Sequence, residues 1–224
     1  MRKCKDCFVV GLAIAALTTP VAALGADPAA SNVSLKADLA TSRVYAKVGS
    51  AGRLGHEHGI IGRLSAGSID LGGSGAGELT FDMRTFNADD PEARRYVGLS
   101  GAVSGSDQQK TNENMKGPHV LDVAKFPTAS FAYTAAAPLD GQAPGDPGRY
   151  RLTGKFTLHG ATQPLVLDSV VERTDVPGVL RMRCAFAILQ SQYRMTPYSA
   201  LGGLVSVADR LEIWGDVVIK PSSR

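Results

Sequence analysis

Leu152-Thr153-Gly154-Lys155-Phe156-Thr157-Leu158-His159-Gly160-Ala161-Thr162-Gln163-Pro164-Leu165 is the stretch on which the fold turns. Tyr150, Leu152, Phe156 and Leu158 share one parity, and Arg149, Arg151, Thr153, Lys155 and Thr157 share the other. Successive side chains of a strand point to opposite faces, so this pattern describes a strand with one buried and one wet face. His159-Gly160-Ala161-Thr162 follows as a tight turn, and a second strand pattern begins at Leu165, so the two read as a hairpin.

The same period recurs on both sides. Leu79, Phe81 and Met83 alternate with Thr80, Asp82 and Arg84, and Ala129, Phe131 and Tyr133 alternate with Thr128 and Ser130. Leu180, Met182, Cys184, Phe186 and Ile188 run against Arg181 and Arg183. Leu211, Ile213, Val217 and Ile219 run against Glu212, Asp216 and Lys220, and Val44, Ala46 and Val48 make a weaker strand near the start. Gly72-Gly73-Ser74-Gly75 and Pro177-Gly178 punctuate these runs as turns, and 138–148 reads as a long loop. The alternation stops only between Asp89 and Met115. There Asp89-Asp90-Pro91-Glu92 resembles a helix start, with both aspartates read as caps, and 106–115 reads as a second short helix. The expected fold is all-β, with about eight antiparallel strands and a short helical insertion. Periodicity is satisfied equally by a closed barrel and by a sandwich.

Composition excludes several classes. The chain has 224 residues, 44% hydrophobic and 20% charged, which is too apolar for a disordered protein. A formal charge of +3 is far from the basic excess of a nucleic-acid binder, so no nucleic acid is expected as partner. Part of that charge lies in a segment that reads as removable. Arg2, Lys3 and Lys5 precede an apolar run from Phe8 to Leu17, and small residues follow at Ala22, Ala23, Gly25 and Ala26. This is the layout of a secretory signal peptide over 1–26, leaving one domain over 27–224 in the periplasm or outside the cell. The run is about half the roughly 20 residues needed to cross a bilayer, so an integral membrane protein is not expected. Loss of Arg2, Lys3, Lys5 and Asp6 lowers the formal charge to +1. Cys4 and Cys7 leave with the signal, so Cys184 has no intramolecular partner, and its place in an apolar alternation marks it as a buried, inert thiol. A homodimer is compatible with the sequence.

From the middle to the end, the chain resembles the YceI-like family of lipocalin-like proteins. The residues that carry the resemblance are the hairpin quoted above, the stretch Val120-Leu121-Asp122-Val123-Ala124-Lys125-Phe126-Pro127-Thr128-Ala129-Ser130-Phe131, and Val207-Ala208-Asp209-Arg210-Leu211-Glu212-Ile213 at the last strand. The resemblance covers roughly residues 33–220. It implies an eight-stranded barrel, periplasmic location and a long apolar tunnel that holds a polyisoprenoid chain. One motif departs from the family: Gln190-Ser191-Gln192-Tyr193-Arg194 stands where an Arg-Ser-Asp-Phe-Gly type motif is usual, with Arg194 in place of Gly.

On this reading the ligand-binding tunnel walls are the large residues of the inward parity: Phe81, Met83, Phe131, Tyr133, Phe156, Leu158, Met182, Phe186 and Ile188. A filled core would use the same residues. Gly154 shares their parity and is the position where a bulky side chain is expected to block a tunnel. Tyr193 and Trp214 fall off the parity and read as rim residues. Arg94 and Arg95 read as a solvated face. No enzyme is expected, because neither a nucleophile elbow nor a phosphate-cradling loop is present in the sequence. No cofactor is expected apart from a bound isoprenoid lipid. The alternative is a divalent-metal-dependent module or enzyme using His56 and His58 as metal ligands. An extended His56-Glu57-His58 puts both imidazoles on one face, but no third ligand is legible, since His119 and His159 lie in distant turns. A further alternative is a structural envelope protein with a filled core.

Overall fold

The computed structural model describes residues 35–221. The predicted signal peptide over 1–26, with Cys4 and Cys7, lies outside the described residues. The strands are β1 (Leu35–Ala37), β2 (Arg43–Ser50), β3 (His58–Ile69), β4 (Gly77–Ala88), β5 (Thr128–Pro138), β6 (Gly148–Leu158), β7 (Ala161–Arg173), β8 (Leu180–Leu189), β9 (Ser199–Ala200) and β10 (Val205–Pro221). Strands β2 to β8 pair antiparallel in sequence order, and β10 pairs with both β8 and β2. That last pairing decides what periodicity could not, because it closes eight strands into a barrel. The short β1 pairs with the ends of β10 and β3, and β9 pairs with the start of β10.

The hairpin read first in the sequence is a continuous ladder from Gly148↔Val171 to Leu158↔Ala161. Its turn is tighter than expected, since Ala161 and Thr162 belong to β7. His159 has φ 49° and Gly160 φ 69°. Positive φ at both central residues defines a type I′ turn, whose twist matches that of the flanking strands.

Gly154 overturns the expectation attached to it. A Cβ there would overlap the backbone of Ala132 and Tyr133 on β5, beside the irregularity between Tyr133 and Ala135. The missing side chain allows two backbones to approach and leaves no space for a plug. Gly154→Ala is therefore expected to lower the thermal midpoint by several degrees or prevent folding, measured by circular dichroism. A wild-type melting curve would show that β5 can retreat.

The insertion holds two helices, α1 (Pro91–Tyr96) and α2 (Gly105–Lys116). Asp90 caps α1 by accepting from the Glu92 amide, with Pro91 at the first helical position, where its missing N–H costs nothing. Ser104 caps α2 by accepting from Asp107 N. Helix α1 lies on the outside of β2 and β3. Tyr96 stacks on Tyr45 with ring centroids 3.7 Å apart, and the Tyr45 hydroxyl donates to Glu92 Oε1 at 2.6 Å. Helix α2 is pinned to the end of β4: the Ala88 amide donates to Asn112 Oδ1, and Gln108 Nε2 donates to the Ala88 carbonyl.

The wall is not uniform. Strands β7 and β8 pair over Ser169–Arg173 and Leu180–Cys184. Beyond that they diverge, and an outer groove lined by Val166, Asp168, Ala185 and Ala187 marks the seam. The short 3-10 turn Gln190–Tyr193 reaches across, where Gln163 Nε2 donates to the Gln192 carbonyl at 3.0 Å.

Candidate ligand cavity and its mouth

Inward-facing residues of the barrel line an apolar cavity of about 420 Å3. Seven of the nine expected wall residues line it: Phe81, Met83, Phe131, Phe156, Leu158, Met182 and Phe186. Phe156 organises one side, with Phe81, Phe186 and Tyr193 meeting it edge-on at centroid distances of 6.4, 6.1 and 5.6 Å. Such T-shaped contacts place a positive ring edge against a negative face and fix each ring's direction.

Tyr133 and Ile188 are buried but not in the lining. The Tyr133 hydroxyl accepts from Asp70 N at 3.0 Å and donates to Asp70 O at 3.3 Å, so the ring closes the end of the barrel beneath the Gly72–Gly75 turn. Parity placed Tyr133 on the inward face correctly, but not at the depth of the cavity. Tyr193 is no rim residue: it is 2% exposed and covered by Phe156. Trp214 lies in mid-strand on the outer face, paired with Tyr45 and Ala185. Arg194 has φ 60°, a left-handed conformation that Gly adopts without strain.

Cys184 faces the cavity from β8, and burial pushes its thiol up to about 11. The thiolate is the reactive form, and this shift disfavours it, although the side chain is half-buried and not buried as expected.

Sequence reasoning missed several lining positions. Ala46 was read as part of a weak strand, yet its methyl group lies at the cavity wall. Phe86 lines the cavity although it is off the parity of Met83; register shifts in the β3–β4 pairing intervene. The only signal for Phe86 is Gly62 opposite, where a Cβ would overlap the Phe86 ring. Helix α2, read as a polar insertion, contributes Lys110, Thr111, Asn114 and Met115 to the cavity's open end, and Leu54 and Tyr198 complete the rim.

His56 and His58 also stand at this mouth. Their rings lie 4.4 Å apart. The His58 Nδ1 is 2.6 Å from Asp89 Oδ2, and Arg94 Nη1 donates to Asp89 Oδ1 at 2.8 Å. Asp89 is therefore not a cap. It is a buried carboxylate with φ 57°, and its side chain is fully shielded from solvent. Burial works to raise its pKa, but hydrogen bonds and charge from His58 and Arg94 outweigh that and hold it below the ordinary carboxylate value. Nor is Arg94 a solvated residue, because its guanidinium also donates to the carbonyls of Ser100 and Gly101. Among the described residues, the donor atoms of His56, His58 and Asp89 come within 4.8 Å of one another.

A closed antiparallel barrel around an apolar cavity with a polar mouth defines a lipocalin-like protein. A family model described as YceI-like domain matches residues 25–219, and the chain belongs to that family. It is 34% identical over 86 residues to UPF0312 proteins of Pseudomonas savastanoi pv. phaseolicola and Pseudomonas syringae pv. syringae, a match that spans 38% of this chain and 42% of the length of each relative. Among solved structures, it resembles a polyisoprenoid binding domain from Saccharophagus degradans implicated in plant cell wall breakdown, with TM-score 0.59, 12% identity, and coverage of 85% of this chain and 99% of that one. Burkholderia cenocepacia BcnA is similar with TM-score 0.52 and 20% identity, covering 81% of this chain and 98% of that one. These likenesses concern the fold. Among the described residues, no helix is long and apolar enough to cross a membrane.

Proposed function

We propose that this protein is a periplasmic or secreted carrier that holds one long apolar lipid, of isoprenoid type, in the barrel cavity without chemically changing it. The observation that carries this reading is the cavity itself. Its volume of about 420 Å3 falls in the range of small-molecule sites, and aromatic and aliphatic side chains make most of its wall. Each buried CH2 contributes about 0.8 kcal/mol before ordering costs, so a chain of several isoprene units is retained with few polar contacts. Membership of the YceI-like family and the polyisoprenoid-binding neighbour support the ligand class. The apolar run over 8–17 behind a basic start supports export.

Mass spectrometry of protein purified from its own host, run under native conditions and again after solvent extraction, tests the proposal. The expected result is one lipid species near one-to-one, recovered in the organic phase as a polyprenyl compound. A bare native mass, with nothing in the extract, overturns it in favour of a structural protein with an unused cavity.

A further inference from the structure

We propose that His56, His58 and Asp89 form a binding site for one divalent transition-metal ion at the mouth of the cavity. Pairing of β3 with β4 sets Ile60 opposite Ala88, which brings His58 and Asp89 together although they are 31 residues apart. His56 arrives from the loop that precedes β3, and one donor atom from each of the three residues lies within 4.8 Å of the others.

The three positions differ in burial and in how firmly neighbouring groups hold them. Asp89 is fixed on both sides: Arg94 takes Oδ1, and the Gly59 amide approaches the same oxygen at 3.4 Å. Oδ2 is left for His58 and the ion. His58 is half-buried and oriented by that carboxylate. His56 is exposed. Metal–nitrogen bonds of about 2.0–2.1 Å in a tetrahedral site put ligand atoms about 3.3 Å apart, so the cluster tightens by a rotation of His56. Two imidazoles and one carboxylate suit Zn2+, Cu2+ or Ni2+ better than Ca2+ or Mg2+, which prefer all-oxygen shells. Three protein ligands leave a coordination position for water or for an oxygen of a bound molecule. The 2.6 Å contact between His58 Nδ1 and Asp89 Oδ2 opens to about 3.3 Å to admit the ion, and the imidazole nitrogens that ligate it carry no proton.

The site goes beyond lipid binding and does not rest on it. The test uses the protein without a histidine tag, stripped by chelator dialysis and titrated with Zn2+ against a chromogenic chelator. One Zn2+ per chain is expected. His56→Ala and His58→Ala are each expected to weaken binding by about tenfold or more, while His119→Ala and His159→Ala leave it unchanged. His56 is exposed, so its replacement leaves the fold in place and keeps the test decisive. Failure to bind Zn2+, or binding that survives in the His56→Ala/His58→Ala double variant, overturns the site whatever lipid is found.

Discussion

Ala46→Trp is expected to abolish lipid uptake while leaving the barrel folded. Ala46 sits in the middle of β2, 8% exposed, with its methyl group at the cavity wall. An indole there enters space rather than close-packed neighbours, so the usual overpacking cost of about 1–3 kcal/mol is largely avoided. A tryptophan occupies about 150–250 Å2 of contact surface, which is then lost to a ligand. The measurement is displacement of a fluorescent long-chain fatty acid from wild type and variant, with near-ultraviolet circular dichroism to confirm the fold. A variant that is folded and still loads normally would place the lipid outside this cavity. The position is chosen against Gly154, where the same intent would break the β5–β6 contact instead.

Arg94→Ala is expected to lower unfolding free energy by about 3–5 kcal/mol, the range for breaking a buried ion pair from one side. Asp89 is shielded completely and Arg94 keeps only 12% of its side chain exposed, so solvent screens the interaction poorly. The substitution leaves a buried carboxylate with His58 as its remaining side-chain partner and frees the Ser100 and Gly101 carbonyls that Arg94 tethers. Urea denaturation measures the loss. Replacing both members, Asp89→Asn with Arg94→Met, is expected to cost less than Arg94→Ala alone, because no uncompensated charge remains. Equal losses for the single and double variants would show that the tethered loop, and not the ion pair, carries the stability.

Much of the barrel was legible because burial repeats with period two, and the turns carry Gly and Pro where the chain must reverse. The β6–β7 hairpin and the Asp90 cap follow from local rules that tertiary structure leaves intact. What escaped was set by distant contacts. Whether the strands close depends on β8 meeting β10, and no residue in either strand announces that partner. Asp89 and Asp90 are neighbours of the same type, yet one caps a helix and the other turns inward to a histidine 31 residues away. The pair His56 and His58 was visible, but its third member was hidden by a capping pattern that Asp90 alone satisfies. Phe86 was missed for the same kind of reason: register shifts between β3 and β4 break the two-residue count over which the alternation was read.

The divergence of β7 from β8 gives the barrel a direction of weakness. Where the ladder runs unbroken, as between β6 and β7, widening the tube means breaking ladder hydrogen bonds in cooperative rows. Along 161–168 the wall is joined to the next strand through side chains and the bridging turn at Gln190–Tyr193. A rigid rod could enter such a vessel only by its ends. A long flexible molecule meets a second weak line in it, along the side, because that stretch of wall is held without ladder hydrogen bonds.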